Sequence, residues 1–535
     1  MKHLTPLEAI SLYPQHDYTL KSLFETRAQT DPSRPFLVFK EKTWIWGEFN
    51  EAIDRSACML ASRGIRKGDR MGIMATNSHA HVLLMFALAR IGAIMVPVNP
   101  EFGVSEAKYV MRHAGVSAVA CSADTLEVVK QASSEINPQP WFVLVDGEMA
   151  GIPQLADLVR DGGDARLPDD IAPDDTFAII YSSGTTGFPK GVMHSQRNFV
   201  LSGEVHVART HLQPDDRALC ILPMFHINAL FYSVGSVVSV GARLIIAPRF
   251  SASQFWRLVA DTGATQVNTM MAVSNILARR PRSEFVRGHK LRIVNGGGFT
   301  KETRDIFRNE FGVPTMIEGY GMTETPAAFS NPYDGPHKLA CMGKPAAHPD
   351  PARPWTQARI LDDEGRDVPD GAMGELAVRV PNLMQGYYRD PEQTAASFRD
   401  GWFLSGDLVR RDDEGYFFFV ARKKDIIRRR GENIAGAELD RVIGEHSGVS
   451  EVAAIAVDSE LGEDDIMVVV VPKAGARLTA EDVRSWCAER LAAHKIPRFV
   501  VFVDALPHTP THKVAKFLLK KDATLRARAV DLQPS

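Results

Sequence analysis

Short apolar runs alternate with amphipathic helical stretches along most of the chain, and this alternation limits the possible folds more than any other feature. Residues 71–74, 94–98 and 118–121 have the composition of short buried strands. A stretch with helical periodicity, containing Met85 and Phe86, separates the first two runs. Strands that alternate with helices are typical of layered α/β folds with substantial parallel sheet. We therefore expect an α/β architecture.

The length of 535 residues requires more than one hydrophobic core. From about Ala358 onward, the runs 358–361 and 375–380 are separated by an acidic turn that contains glycine. Short strands punctuated by such turns predict a β-rich subdomain that completes a large N-terminal domain with several layered sheets.

A compact pattern with its own strands and helix follows residue 424. Two apolar runs, 452–457 and 466–471, precede Thr479, which can cap a helix that presents Val483 on its apolar face. This pattern predicts a small α+β C-terminal domain. We place the boundary at Lys424, which gives domains 1–423 and 424–535.

Composition limits the classes of function and the cellular compartments that we expect for this protein. The formal net charge of −3 gives no electrostatic reason to expect a nucleic-acid partner. Five cysteines without a CxxC pair argue against a zinc site and fit a reducing compartment. Arg90 and Pro97 interrupt the longest apolar stretch, which therefore predicts a buried helix and strand and no membrane span. With no signal-peptide pattern in residues 1–17, we expect a cytoplasmic protein.

The strongest chemical signal is the segment 181–191, which reads YSSGTTGFPKG and follows an apolar run at 177–181. Glycines let backbone N–H groups approach an anion closely, and the hydroxyls add donors. The segment lacks the Gly-Lys-Ser/Thr ending of a Walker A loop. Its length and its Pro-Lys-Gly ending favour phosphate binding over an ordinary flexible loop.

This segment resembles the phosphate-binding signature of the adenylate-forming superfamily, which contains acyl-CoA synthetases, luciferases and peptide-synthetase adenylation domains. The resemblance covers about residues 20–520 and is greatest to crotonobetaine/carnitine-type CoA ligases. It implies ATP, Mg²⁺ and CoA as the cofactor set and a small-molecule carboxylate as the substrate. The residues of this segment that it assigns to ATP or AMP binding are Ser182, Ser183, Gly184, Thr185, Thr186, Gly187 and Lys190.

A second motif, residues 320–324, reads YGMTE. A carboxylate beside a hydroxyl and a glycine can hold Mg²⁺ against a phosphate, although a helix N-terminus capped by Thr323 is an alternative. The resemblance assigns Mg²⁺ to Glu324, a phosphate oxygen to Thr323 and adenine stacking to Tyr320. It places the backbone of Gly297 and Gly298 along the adenine and the acyl pocket.

A third motif, Ser-Gly-Asp, ends at Asp407, whose two carboxylate oxygens can accept both ribose hydroxyls. Taken alone, these three residues more commonly form an acidic turn than a ribose-binding site. The downstream sequence matches the family's ribose and hinge segment, which implies a ribose or phosphate contact for Arg422. It also implies a hinge at Lys424 and close passage of CoA at Gly431.

The segment 506–514 contains Lys513, which the resemblance identifies as the lysine that bridges the carboxylate and the α-phosphate during adenylation. The segment 223–228 contains His226 and Asn228 and resembles the acyl-pocket segment, although a core histidine is an alternative. Glu318 and Gly298 complete the predicted pocket. Glu318 either pairs with a cationic substrate tail or pairs with an arginine of the fold.

We therefore predict an AMP-forming carboxylate–CoA ligase that acts through an acyl-adenylate on a small or medium acid, including acids with a polar or cationic tail. In this family the C-terminal domain rotates between the two half-reactions. A stand-alone adenylation enzyme that loads a carrier protein is the alternative, although His226 stands where amino-acid-activating relatives place aspartate. A luciferase-like oxygenase and a binding protein without activity are further alternatives. A binding protein is expected to have lost Lys513 or Glu324, and both are present.

Overall fold

The computed structural model describes residues 3–182, 189–429, 432–459, 464–508 and 514–532. The chain divides into two compact units. The first contains Met1–Ser182, Lys190–Gln357 and Arg379–Ala396, and the second contains Ala358–Val378 and Ser397–Ser535.

The helices are distributed over both units. The α-helices are α1 Pro6–Ile10, α2 Leu20–Thr30, α3 Trp46–Ser62, α4 His79–Arg90, α5 Val104–Ala114, α6 Leu126–Ser133, α7 Leu155–Asp161, α8 Gln196–Thr210, α9 Gly235–Val240, α10 Phe255–Thr262, α11 Met271–Arg279, α12 Lys301–Asn309, α13 Pro391–Ala396, α14 Gly436–Gly444, α15 Ala480–Ala488, α16 Lys516–Lys521 and α17 Ala523–Arg528. A π-helix, Asn228–Val234, leads directly into α9, and short 3₁₀ turns occur at Arg282–Glu284, Lys423–Asp425 and Ala493–Lys495.

In the described ranges the strands form five sheets. The strands are β1 Pro35–Phe39, β2 Lys42–Ile45, β3 Arg70–Met74, β4 Ile94–Pro97, β5 Ala118–Ser122, β6 Trp141–Asp146, β7 Thr176–Ser182, β8 Lys190–Ser195, β9 Arg217–Cys220, β10 Arg243–Ile246, β11 Gln266–Asn268, β12 Ile293–Gly296, β13 Thr315–Tyr320, β14 Phe329–Ser330, β15 Lys344–Pro345, β16 Gln357–Leu361, β17 Gly374–Arg379, β18 Gly386–Tyr387, β19 Phe398–Arg399, β20 Trp402–Arg411, β21 Phe417–Arg422, β22 Ile426–Arg429, β23 Glu432–Ala435, β24 Val449–Asp458, β25 Asp464–Pro472, β26 Phe499–Phe502 and β27 Val530–Asp531.

Two large sheets organise the first unit. A nine-stranded sheet has the order β15-β14-β13-β12-β11-β9-β10-β1-β2, and a seven-stranded sheet has the order β18-β8-β7-β4-β3-β5-β6. The inner strands of both sheets pair in parallel, from β13 to β1 in one and from β7 to β6 in the other. The carboxyl edge of such a parallel sheet is where α/β proteins commonly bind their ligands.

Helix α8 lies in the interior of the first unit and is buried along most of its length. Its Phe199 contacts Phe177 and Phe231 in the main hydrophobic core. The same helix also buries Glu204 and Arg209. Buried charged groups require partners, so a helix of this kind combines packing with a set of specific polar contacts.

The second unit contains an antiparallel sheet, β16-β17-β20-β19, with β21 also paired to β20. It also contains the hairpin β22-β23 and a four-stranded sheet, β24-β25-β26-β27. Helices α14 and α15 pack with this four-stranded sheet around Leu439, Val468 and Val483. Thr479 caps α15 by accepting a hydrogen bond from the backbone N–H of Asp482 at 3.2 Å.

The structure confirms the predicted α/β class, with a large N-terminal part, a β-rich sheet and a small α+β C-terminal part. The predicted strands at 71–74, 94–98 and 118–121 correspond to β3, β4 and β5, and α4 is buried at nearly every position, as predicted. Within the residues described, no helix combines the length and the apolar character that a membrane crossing requires.

Candidate active site

The glycine- and serine-rich segment begins at the end of β7 and continues on β8. Ser182 and Lys190 are paired across these antiparallel strands. The Lys190 ammonium lies 5.0 Å from the centroid of the Tyr387 ring, within cation–π distance. The remaining predicted phosphate-binding residues lie outside the described residues; they are Ser183, Gly184, Thr185, Thr186 and Gly187.

Glu324 follows β13 and is held by two contacts from the segment that contains β18. The Tyr387 hydroxyl donates a hydrogen bond to Glu324 Oε1 at 2.9 Å, and the Met384 N–H donates to the Glu324 carbonyl oxygen at 2.9 Å. The pairing of Tyr387 with Val192 on β8 fixes the position of the phenol. The contact of Tyr387 with Glu324 could not be predicted from the sequence, because nothing near Tyr387 distinguishes it from the neighbouring Tyr388.

A buried histidine holds the backbone at Thr323. His194 Nε2 lies 2.8 Å from the Thr323 carbonyl oxygen, and the Asn198 amide lies 3.3 Å from His194 Nδ1. Burial lowers the pKa of His194 to about 4 and outweighs the hydrogen bond to Thr323, so the neutral ring donates from Nε2. No helix begins at Thr323 in the described chain, so the alternative of a capped helix N-terminus is wrong.

The predicted adenine segments leave the same edge of the nine-stranded sheet. Strand β12 ends at Gly296 and β13 ends at Tyr320, and the two strands are parallel. Gly298 has φ of +74°, a left-handed conformation that favours glycine, and a Cβ there would lie 3.0 Å from Met271 Sδ. The half-buried Tyr320 ring packs against Phe329, with 5.9 Å between ring centroids.

Glu318 is fully buried and already has protein partners. Its Oε2 pairs with the Arg304 guanidinium, and its Oε1 accepts a hydrogen bond from the Phe299 N–H at 3.0 Å. Burial raises the pKa of Glu318, while Arg304 and the Phe299 N–H oppose that shift. Of the two alternatives for Glu318, the structure has the pairing with an arginine of the fold.

The segment with His226 joins β9 to the π-helix. Asn77 holds it in place, because its side-chain amide donates to the Leu222 carbonyl oxygen at 2.9 Å and its Oδ1 accepts from the Met224 N–H at 2.8 Å. His226 is half-buried beside Phe225, with 4.3 Å between ring centroids. Asn228 begins the π-helix, a rare element that often occurs at functional sites. Asn77 is a positioning residue that the sequence did not reveal.

The second unit holds the predicted ribose and hinge residues. Asp407 on β20 is fully buried, and Arg422 on β21 lies directly opposite it. Lys424 belongs to an exposed 3₁₀ turn, and its carbonyl oxygen accepts a hydrogen bond from Lys520 at 3.1 Å. Gly431 and Lys513 lie outside the described residues.

The donor set around Glu324 fits Mg²⁺. In the described residues, no group of three or more His, Cys, Asp or Glu side chains could hold a metal ion. Mg²⁺ in phosphoryl-transfer sites commonly takes one or two carboxylates together with substrate phosphates and water. A single buried carboxylate oriented by Tyr387 meets that requirement.

Comparison with known proteins identifies the family. The AMP-binding enzyme family model matches residues 24–388, and the model of the AMP-binding enzyme C-terminal domain matches residues 438–513. The chain belongs to the AMP-binding enzyme family. Its relatives include the sulfoacetate–CoA ligase of Cupriavidus necator, which is 31% identical over 94% of this chain and 98% of the relative. They also include the crotonobetaine/carnitine–CoA ligase of Proteus mirabilis, 29% identical over 93% and 98%.

A solved structure agrees with these sequence matches. The crystal structure of ATP-bound MatB from Rhodopseudomonas palustris superposes on this AMP-binding enzyme with a TM-score of 0.83. The two are 28% identical, over 94% of this chain and 98% of MatB. The prediction of an adenylate-forming acyl-CoA synthetase, an acid–thiol ligase that uses ATP, Mg²⁺ and CoA, is confirmed.

Proposed function

We propose that this AMP-binding enzyme activates a small or medium carboxylic acid and that the residues predicted from its sequence carry out the two half-reactions. The two named relatives support a small or medium acid, because sulfoacetate, crotonobetaine and carnitine are all short molecules. These relatives match nearly the whole chain, so the support extends beyond the nucleotide-binding segments.

In the first half-reaction, an oxygen of the acid forms a bond to the α-phosphorus of ATP, and the bond to pyrophosphate breaks. Negative charge accumulates at this step, so donors and cations must be placed beforehand. We assign Lys190 and Thr323 to the phosphates and Glu324 to Mg²⁺, which neutralises phosphate charge when bound. Lys513 would bridge the acid and the α-phosphate, and Tyr320 would stack on adenine.

In the second half-reaction, the CoA sulfur forms a bond to the acyl carbon, the thiol loses its proton, and the carbon–oxygen bond to AMP breaks. We assign Gly431 to the passage of CoA, and Asp407 and Arg422 to the ribose. His226, Asn228 and the backbone at Gly297 and Gly298 would line the acid. With Lys424 as the hinge, the proposed domains are 1–423 and 424–535.

The observation that carries this proposal is the link from Lys190 through Tyr387 to Glu324. Tyr387 contacts the Lys190 ammonium with its ring face and the Glu324 carboxylate with its hydroxyl. One aromatic side chain therefore holds an ammonium and a carboxylate side by side, which supports their assignment to phosphate and to Mg²⁺. In an ordinary surface loop, no ammonium and carboxylate need to be held by one aromatic side chain.

We also propose that the reaction takes place in the cytoplasm without a nucleic-acid partner. The five cysteines form no disulfide, and four of them are buried. A formal net charge of −3 does not attract a polyanion such as nucleic acid to the protein.

The test is a pyrophosphate-release screen with ATP, Mg²⁺ and a panel of acids from acetate to palmitate, with and without CoA. We expect turnover with short acids, CoA-dependent formation of acyl-CoA, and little activity with palmitate. Release of pyrophosphate without any acyl transfer to CoA would favour the carrier-protein alternative. Glu324→Gln is the matched variant, and its activity should fall most at limiting Mg²⁺.

A further inference from the structure

Helix α8 brings a buried cation to the carboxyl edge of the nine-stranded sheet. Arg209 lies against Phe329 on β14, where its Nη2 donates to the carbonyl oxygen at 2.8 Å. Its guanidinium is also 5.6 Å from the centroid of the Tyr232 ring on the π-helix. The side chain is 6% exposed, so little bulk water reaches this charge.

Arg209 is poorly satisfied compared with Arg27, another buried arginine of the first unit. Arg27 donates from Nε to Val238, from Nη2 to Ser239 and from Nη1 to Thr26, so each of its nitrogens has a partner. Arg209 has only the bond to Phe329 in the described chain, and its Nε has no hydrogen-bond partner. Guanidinium groups carry five N–H donors, so Arg209 retains donors for a further acceptor.

No residue near Arg209 neutralises its charge. Across the described ranges, no carboxylate lies within ion-pair distance of it, whereas Glu204 on the same helix is paired with His348 at 3.0 Å and His16 at 3.4 Å. Burial and the Arg209 charge hold the pKa of His206 well below its ordinary value, so His206 adds no second cation. An isolated buried charge is costly unless a counter-charge arrives.

Other polar atoms without hydrogen-bond partners lie on the elements that surround Arg209. Asn295 at the end of β12 donates to Asn268 at 3.1 Å, and Asn268 donates to Ser233 on the π-helix at 2.9 Å. Asn295 Oδ1 remains without a partner, as does Oδ1 of Asn228, where the π-helix begins. Polar atoms buried in this way are normally satisfied by a ligand or by ordered water.

The cation adjoins the proposed acid site through two glycines. A Cβ at Gly319 would lie 2.8 Å from Arg209 Cζ, and a Cβ at Gly321 would lie 2.7 Å from the Tyr232 hydroxyl. These glycines flank Tyr320, and the carbonyl oxygen of Gly319 would lie 3.2 Å from a Cβ at Gly297. The absence of side chains at Gly319 and Gly321 thus places the guanidinium directly beside the Tyr320 segment and next to the acid-lining backbone at Gly297.

We propose that Arg209 is a specificity-determining residue that pairs with a second anionic group on the acid, so that the preferred substrates are short dianions such as dicarboxylates or sulfonated carboxylates. This inference rests on the proposed function of the site. The reacting carboxylate remains at the Tyr320–Glu324 segment, and the distal anion replaces the missing partner of Arg209. A neutral tail leaves the guanidinium unpaired, and a cationic tail adds repulsion.

The experiment compares acids of equal chain length on the full-length enzyme. For wild type, kcat/KM is measured with succinate, 3-sulfopropionate and butyrate, and again for Arg209→Gln. We expect wild type to prefer each dianion over butyrate by about tenfold or more, because a site built for a charged partner rejects an analogue that lacks it. Arg209→Gln should lose that preference while its kcat/KM for butyrate changes little. Comparison of succinate with 3-sulfopropionate shows whether a carboxylate or a sulfonate is the better distal group.

Two further variants separate specificity from folding. Arg27→Gln removes a buried guanidinium that is already satisfied, so its substrate preference should remain that of wild type. Arg209→Lys keeps a positive charge at this position but lacks the forked donors of the guanidinium, so it should retain part of the preference for the dianions. This variant carries the test if Arg209→Gln does not fold.

The inference is overturned if wild type shows no preference for the dianions, or if Arg209→Gln and Arg209→Lys reduce activity on succinate and butyrate equally. Either result leaves the proposed function standing, because acyl-CoA still forms. If no acid on the panel is turned over, the proposed function fails, and calorimetric titration with succinate decides this inference separately. Binding by wild type and loss of binding in Arg209→Gln support it, and no binding by wild type overturns it.

Discussion

Asp407 and Arg422 stand directly opposite each other on β20 and β21, with Arg422 Nε 2.8 Å from Asp407 Oδ1. The Asp407 side chain is fully buried, whereas that of Arg422 is 36% exposed. The pair therefore joins a buried carboxylate to a cation that still reaches solvent. Such a pair can present the arginine to a nucleotide while the strand pairing keeps its position fixed.

Replacing Asp407 with asparagine should raise the KM for ATP about tenfold and lower the free energy of unfolding by about 1–2 kcal/mol. Removal of one partner leaves the other without its counter-charge, but solvent at Arg422 limits the loss of stability. Steady-state kinetics with varied ATP and urea unfolding measure the two effects.

Asp367→Asn is the matched control, because Asp367 pairs with Arg359 on β16 of the same sheet and is 63% exposed. An exposed ion pair contributes about 0.2–1 kcal/mol, so both the KM for ATP and the unfolding should change little. Equal effects of the two variants on the KM for ATP would remove Asp407 from the nucleotide site.

Tyr387→Phe should raise the Mg²⁺ concentration needed for half-maximal activity several-fold, because the hydroxyl that orients Glu324 is lost. One hydrogen bond to a charged group contributes about 1.5–3 kcal/mol, and the ring that contacts Lys190 is retained. A titration of activity with Mg²⁺ at saturating ATP and acid measures the change.

The adjacent Tyr388→Phe serves as the control for this substitution. Its hydroxyl makes one long hydrogen bond, 3.4 Å to the Ala114 carbonyl oxygen, and does not contact Glu324. The Mg²⁺ requirement of Tyr388→Phe should match wild type. A similar shift in both variants would indicate a general packing effect.

Lys513→Ala should abolish formation of the acyl-adenylate while transfer from supplied acyl-AMP to CoA persists. The lysine charge offsets repulsion between the acid and the α-phosphate, a problem that exists only in the first half-reaction. The two half-reactions are assayed separately, with exposed Lys521→Ala as the charge-matched control. Parallel loss of both half-reactions in folded Lys513→Ala would contradict the assignment.

Gly431→Leu should show the reverse pattern. A side chain at the position assigned to CoA passage blocks the thiol but leaves the nucleotide contacts in place. Acyl-AMP should therefore accumulate, which chromatography of the quenched reaction can detect. Undiminished acyl-CoA formation by this variant would show that CoA passes elsewhere.

The free energy of unfolding should fall as the pH decreases from about 6.5 to 4. Burial, with a smaller effect from His79, lowers the pKa of His81 to about 4, and burial lowers that of His194 to about 4. Unfolded histidine binds its proton near pH 6.5, so the unfolded chain takes up protons first and gains stability. Each histidine can contribute about 3 kcal/mol across this window.

Urea unfolding between pH 4 and 8 measures the effect. His81→Leu should reduce the slope of stability against pH by as much as one proton, whereas exposed His3→Gln should leave it unchanged. A slope in His81→Leu equal to that of wild type would mean that His81 titrates alike in both states.

The sequence predicted the elements whose signals are local. The apolar runs of β3, β4 and β5 and the Thr479 cap of α15 depend on neighbouring residues, and each was found in the expected place. The segments 181–191 and 320–324 stand out for a similar reason, because each is a continuous run of particular residue types, and their assignment to ATP and Mg²⁺ stays a prediction.

Contacts between distant parts of the chain could not be predicted in the same way. Tyr387 reaches Glu324 only because β18 pairs with β8, and Asn77 holds the His226 segment across a separation of about 150 residues. The sequence could not decide whether Glu318 pairs with a substrate or with an arginine, because nothing local indicates that Arg304 on α12 contacts it. Burial and charge pairing are properties of the assembled sheets, and single positions do not encode them.

The position of α8 has a consequence for how related enzymes diverge. The residue proposed to select the distal group of the acid lies on this helix, whereas the residues assigned to ATP lie on other elements, among them β8, β20, β21 and the segment that follows β13. A substitution on this helix can therefore change which acid is activated while the residues assigned to the activation chemistry stay the same. Duplicated genes of this kind can acquire new metabolic roles through few mutations, with the energetic coupling to ATP retained from the ancestor.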